Sequence, residues 1–158
     1  MAYYYIREWD RAIAQCQSVL EVDPQYWAAH IFLGLTYIQL RKQEDAIRAF
    51  ETAAQLTGRN LYTLGSLGWA YARSGRINKA RQLLKELVEL AGRTYVAASA
   101  IGRIYLGLGE IDRALEWFEK AIEDCDGTMI NFHLAPLYDE LRSHARYHAL
   151  LRKMNLEP

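Results

Sequence analysis

A 34-residue period constrains this chain more than any other feature of it. Leu33, Gly34, Tyr37, Ala46 and Phe50 return as Leu67, Gly68, Tyr71, Ala80 and Leu84, and again as Ile101, Gly102, Tyr105, Ala114 and Phe118. The backward shift finds Tyr3 and Ala12. Self-similarity at such a period marks stacked helix pairs, each unable to bury its apolar face without a neighbour. Within the unit, small residues stand where two helices cross: Gly34, Gly68 and Gly102 on the first helix, Ala46, Ala80 and Ala114 on the second. They let the backbones approach toward the short end of the usual interaxial range of about 8–10 Å. Because each repeat touches only its neighbours, a wedge at one crossing is expected to damage the array locally and fray it from there.

In chain order, residues 3–26 read as a half repeat whose first helix is missing: Tyr3 ends that helix, then Trp9, Ala12, Ile13, Cys16, Val19 and Leu20 form an amphipathic stripe that Asp23-Pro24 stops. Full repeats follow at 27–60, 61–94 and 95–128, the first with helices expected over about 28–40 and 44–57. Gly75 and Gly109 sit in the turns inside two repeats, and Gly58 and Gly92 close two of them. After 128 the period breaks, because Pro136 falls where the other units have glycine and Tyr138 comes one residue short. Residues 129–158 therefore read as a degenerate repeat, in which Met129 to Leu134 is still expected as a first helix. A capping helix follows with Tyr147, Leu150, Leu151 and Met154 on one face and Ser143 as its N-cap. The whole of 1–158 is read as a single domain.

The elements Leu-Gly-x-x-Tyr and Ala-x-x-x-Phe each occur in full in two of the three complete units, and across about residues 3–128 the chain resembles the tetratricopeptide repeat (TPR). The resemblance implies an all-α, right-handed superhelical solenoid of antiparallel helix hairpins with a C-terminal capping helix. A narrower likeness covers the second half. Tyr95-Val96, Ile104 to Glu110, Ala114 to Ala121, and then Pro136 to Asp139, Arg146-Tyr147 and Leu150 to Leu156 are similar to the C-terminal TPR region of bacterial multidomain signalling proteins. These are winged-helix regulators, Ser/Thr kinases and adenylate cyclases. Their tails usually carry Asp-Pro-Arg-Phe where this chain has His144-Ala145-Arg146-Tyr147. None of their catalytic or DNA-reading motifs is present, so the likeness implies only a sensor or scaffold part, as a fragment or a stand-alone relative.

In a TPR solenoid the first helices line the concave wall. In this register they place Ile31, Leu35 and Gln39, then Tyr62, Ser66, Trp69 and Arg73, then Ser99 and Arg103 there, as a groove expected to bind a protein or peptide. Large aromatics and arginines beside small residues suit interface anchors. The two-carboxylate clamp of co-chaperone TPR domains needs Lys and Asn on these helices, and this chain has Ile31, Leu35, Ser66, Val96 and Ala100 instead. Nineteen basic and nineteen acidic residues cancel, which gives no support for a nucleic-acid partner. Arg73, Arg76, Lys79 and Arg81 form a local basic run, but Lys85-Glu86 and Glu89 follow directly, and the run is read as a solvated helix face.

No cofactor, metal site or catalytic residue is expected. His144 and His148 stand at i, i+4 without further ligands, and a metalloprotease would need glutamate where Ala145 stands. Cys16 and Cys125 fall in different repeats, consistent with plain thiols in a reducing, cytoplasmic setting. No signal peptide or membrane-spanning stretch is legible. The half repeat at the amino terminus leaves an apolar edge of Tyr3, Tyr4, Trp9 and Ile13 that needs a cover, either a second copy in a homodimer or upstream sequence. A structural or self-associating spacer is thus the alternative to the binding scaffold.

Overall fold

The computed structural model describes residues 2–156. Among them the chain is all helix, with no strand. Helices α1 (Ala2–Tyr5) and α2 (Trp9–Val22) form a first, shortened hairpin. The hairpins α3 (Trp27–Gln39) with α4 (Gln43–Leu56), α5 (Leu61–Arg73) with α6 (Ile77–Ala91), and α7 (Ala98–Gly107) with α8 (Ile111–Glu123) follow. Two 3-10 turns, Gly127–Asn131 and Pro136–Leu141, lead to α9 (Ala145–Lys153). Helix α3 packs against α2, α4 and α5, and α5 against α6 and α7, so α3, α5 and α7 make the inner layer of a TPR-like hairpin solenoid.

The small-against-large crossing holds the hairpins closed. A Cβ on Gly34 would stand 2.7 Å from the Phe50 ring, and one on Gly102 would stand 2.6 Å from the Phe118 ring. Both rings are completely buried, and so are Ala46, Ala80 and Ala114 on the facing helices. Where the third copy has Leu84 in place of phenylalanine, Ile104 from α7 fills the space over Gly68 instead.

The turns inside the hairpins follow the same period. Gly75 and Gly109 both have φ +75°, the left-handed conformation that ends α5 and α7. One period earlier Arg41 adopts φ 58°, and one period before that Arg7 adopts φ 63°. Residue 7 thus ends α1 as residue 41 ends α3. The first helix of the amino-terminal unit is therefore not lost: the described residues hold its last turn, Ala2–Tyr5, with Tyr4 buried against Trp9 and Phe32.

Three local expectations are corrected. Gly92 closes α6 with φ −74°, not in the left-handed region. Met129 to Leu134 is not an α-helix. Asp126 accepts from the Thr128 amide and tightens the first turn into 3-10 geometry, and Pro136, without a donor, starts a second such turn. Ser143 is not the cap of α9, since the extended residue before the helix is His144 and no side chain caps it. Helix α9 is fastened to α8 by Arg146 and Lys153, both on Glu119.

Two substitutions should move stability in opposite directions. Gly102→Ala is expected to cost about 1–3 kcal/mol by pushing on the Phe118 ring, while Arg41→Gly should add up to about 1 kcal/mol by relieving a left-handed arginine. Urea unfolding followed by circular dichroism reads both, and a neutral Gly102→Ala would show that the crossing is not tight.

Candidate functional site

The expected groove residues do come to one wall. Ile31, Leu35 and Gln39 lie along α3, Tyr62, Ser66, Trp69 and Arg73 along α5, and Ser99 and Arg103 on α7, spaced three or four residues apart so that they share a helix face. The wall is not bare. Ile31, Leu35, Ser66, Trp69, Ser99 and Arg103 are all buried, Tyr62 and Gln39 half-buried, and Arg73 is exposed.

The chain's own residues 126–141 lie against this wall. Ser99 Oγ and Thr128 Oγ1 are 2.6 Å apart, the Ser99 amide donates to Asp126 Oδ2 at 3.3 Å, and Arg73 Nη1 donates to Glu140 at 3.2 Å. Burial works against the charge of Asp126, but donors from Ser99 and Thr128 outweigh it and hold its carboxyl below the usual range. Tyr138 is buried in the same segment, and the loss of solvent pushes its phenol up to about 12 against the pull of Arg103. The far side is latched to the amino terminus. Arg7 grips Asp139 with two hydrogen bonds of 2.5 and 2.8 Å, Arg142 adds a third at 2.8 Å, and Asn131 Nδ2 donates to the Tyr5 hydroxyl at 3.0 Å.

Three hollows remain around this segment. A cavity of about 530 Å³ opens between Gln39, Trp69 and Arg73 on the wall and Pro136, Asp139 and Glu140 on the segment. An inner cavity of about 210 Å³ includes Leu35, Tyr62 and Arg103. A third, of about 340 Å³, is lined by Trp27, Ala28, Ile31, Phe32, Tyr62 and Thr128. Of the nine expected groove residues, Ser66 and Ser99 line none of these three hollows.

The tetratricopeptide repeat profile matches residues 1–60 and 66–128. The chain belongs to the tetratricopeptide repeat family. One curated relative, the chloroplastic PsbB mRNA maturation factor Mbb1 of Chlamydomonas reinhardtii, is 32% identical over 65 residues. That match covers 40% of this chain, which spans about a tenth of the relative's length.

Elsewhere on this TPR chain, the candidate basic cluster is neutralised in place. Arg73 pairs with Glu140, Arg76 with Glu44 and Arg81 with Glu110, while Lys79 lies 5.1 Å from the centre of the Tyr71 ring. Among the described residues no three His, Cys, Asp or Glu side chains gather as a metal site, and no helix is long and apolar enough to cross a membrane. His148 faces the Arg142 carbonyl through Nε2 at 2.8 Å. Cys16 is buried and Cys125 exposed, both as free thiols. At the amino-terminal edge Tyr4 is interior, and Tyr3, Trp9 and Ile13 are half-buried. Sequence reasoning did not find Arg7, Tyr5, Asn131 and Asp139. The break of period after 128 was the visible signal, but it said nothing of where the broken segment goes.

The Arg7 guanidinium holds the Asp139 carboxyl below the usual carboxylate range, helped by Arg142. The folded pKa is depressed, so the contribution is present above the unfolded carboxylate pKa and is lost as pH falls through the folded one. Both partners are about a third or more exposed, so solvent screening limits the pair to about 0.5–1 kcal/mol. Asp139→Asn should lower stability by that amount at pH 7 and by nothing well below the Asp139 pKa. Urea midpoints at the two pH values check it, and equal losses at both would remove the ion pair as the cause.

Proposed function

We propose that this chain is a non-catalytic scaffold that binds a protein or peptide on the concave side of its TPR solenoid, as an interaction or sensor module of a bacterial signalling system in the cytoplasm. The observation that carries the reading is the string of hollows along the inner helices, where Tyr62, Ile31, Gln39, Trp69 and Arg73 line concave space beside residues 127–141. Tetratricopeptide repeats generally bind proteins or peptides, and concave faces of helical repeats are their extended binding surfaces. The signalling context rests on the likeness of the second half to the TPR tails of bacterial regulators. The mRNA-maturation role of the Chlamydomonas relative is not carried over, since the match spans a tenth of that protein and Arg73, Arg76 and Arg81 of the basic cluster are paired with carboxylates.

Because Trp69 is buried beside Pro136 and Leu137, its removal would perturb the fold as well as the surface. Rim residues give the cleaner test. Random-peptide display against the wild type, counter-screened on Tyr62→Ala with Arg73→Ala, should enrich ligands whose affinity for the variant falls by about 2 kcal/mol or more. Failure to enrich any peptide, or equal binding by a variant of unchanged helicity, would end this reading.

The self-associating alternative draws on the amino-terminal end. Val22 is 88% exposed and, with Val19 and Tyr26, lines a shallow hollow beyond the Tyr3, Trp9 and Ile13 edge. If that end pairs with a second copy, sedimentation will show concentration-dependent dimers that Ile13→Glu with Val22→Glu abolishes. A monomer at every concentration would dismiss it.

A further inference from the structure

Arg103 carries a fixed positive charge into the middle of the solenoid with no carboxylate in contact, and Asp126 acts on it only from a distance. The residue is 3% exposed. Its Nη1 donates to Ser66 Oγ at 3.1 Å and its guanidinium lies 4.3 Å from the centre of the Tyr62 ring, but its Nε has no acceptor. Among the described residues no ion pair joins it to a carboxylate, and Asp126 directs its oxygens to the Ser99 and Thr128 amides. Tyr138, Tyr62 and the more distant Asp126 favour its charge against burial, and an anion in contact would take up the donor that is left over.

The space for that anion is present. Arg103 lines the inner cavity of about 210 Å³ together with Tyr4, Tyr5, Tyr62, Asn131 and Tyr138. The Tyr4 hydroxyl is a second buried polar group there, with only the Leu137 backbone beside it. At about 30 Å³ per water, the volume suits a head group and a few carbons rather than a folded segment. The cavity shares Phe32, Tyr62 and Thr128 with the outer hollow of about 340 Å³, whose other walls are Trp27, Ala28 and Ile31. A chamber holding a cation and tyrosine hydroxyls therefore adjoins an apolar one.

We propose that these joined chambers are a binding site for an amphiphilic carboxylate, its head on Arg103 and the Tyr4 hydroxyl and its apolar body against Trp27, Ile31 and Phe32. The head group has two sources, a free organic acid or the terminal carboxylate of a peptide. Only the second rests on the scaffold reading above.

Calorimetric titration of the full chain with 3-phenylpropionate and 3-phenylpropionamide, and with a hexapeptide ending in phenylalanine as acid and as amide, tests the site. At least one acid should bind one to one and raise the melting temperature, with its amide at least tenfold weaker. Arg103→Met should lose the difference between acid and amide, and Arg103→Lys should keep part of it. Binding of 3-phenylpropionate assigns the site to free acids, and binding of the peptide acid alone assigns it to a chain terminus. No binding by either acid, or acids and amides binding alike, would overturn the proposal on the wild type alone, whether or not the methionine variant folds. An Arg103→Met chain that melts lower yet binds acids as before would make the arginine purely structural and overturn it as well. Peptides selected at the rim that still bind in either case would leave the scaffold reading standing.

Discussion

A phenylalanine ring lying on a glycine sets how closely two of the hairpins shut. Phe50 over Gly34 and Phe118 over Gly102 leave no room for even one added carbon, and Gly65 against the Ala100 backbone brings the inner helices α5 and α7 equally close, so that they make a continuous wall. Everything the chain presents on its concave side depends on that spacing. Were the crossings looser, Arg103 on α7 would not meet Ser66 and Tyr62 on α5, because those contacts need the two helices at contact distance.

The periodic part of this arrangement was readable from the residues, since side chains repeated every 34 positions can only repeat one packing problem. The aperiodic part was not. Arg7 and Arg41 stand where later copies have Gly75 and Gly109, and nothing in an arginine signals a left-handed turn; the register alone does. The same register makes Ala2–Tyr5 the last turn of a first helix, which changes Tyr4 from an edge residue into a core one. The course of residues 127–141 was hidden for a different reason. A segment without helical period can lie anywhere its few polar contacts allow, and those contacts, Asn131 with Tyr5 and Asp139 with Arg7, join residues more than 120 positions apart.

The groove is thus a composite. Its wall is made of repeated helices, and part of its facing comes from the two aperiodic ends, which supply Tyr4, Tyr5, Asn131 and Tyr138. Repetition gives the shape, and departures from repetition give the chemistry: the aromatic hydroxyls and the amide around Arg103 come largely from places where the period fails.

The contact between Arg7 and Asp139 has a topological meaning as well. An array of repeats is ordinarily a line, in which the end units unzip without consulting the rest. Here the turn after α1 is clasped to the segment that follows the last full hairpin, so the hairpins between them are closed into a loop. Among the described residues only the helices α1 and α9 lie outside that clasp. Mechanical tension applied between Arg7 and Asp139 would load the clasp first, and the hairpins would begin to part in sequence only after it had let go.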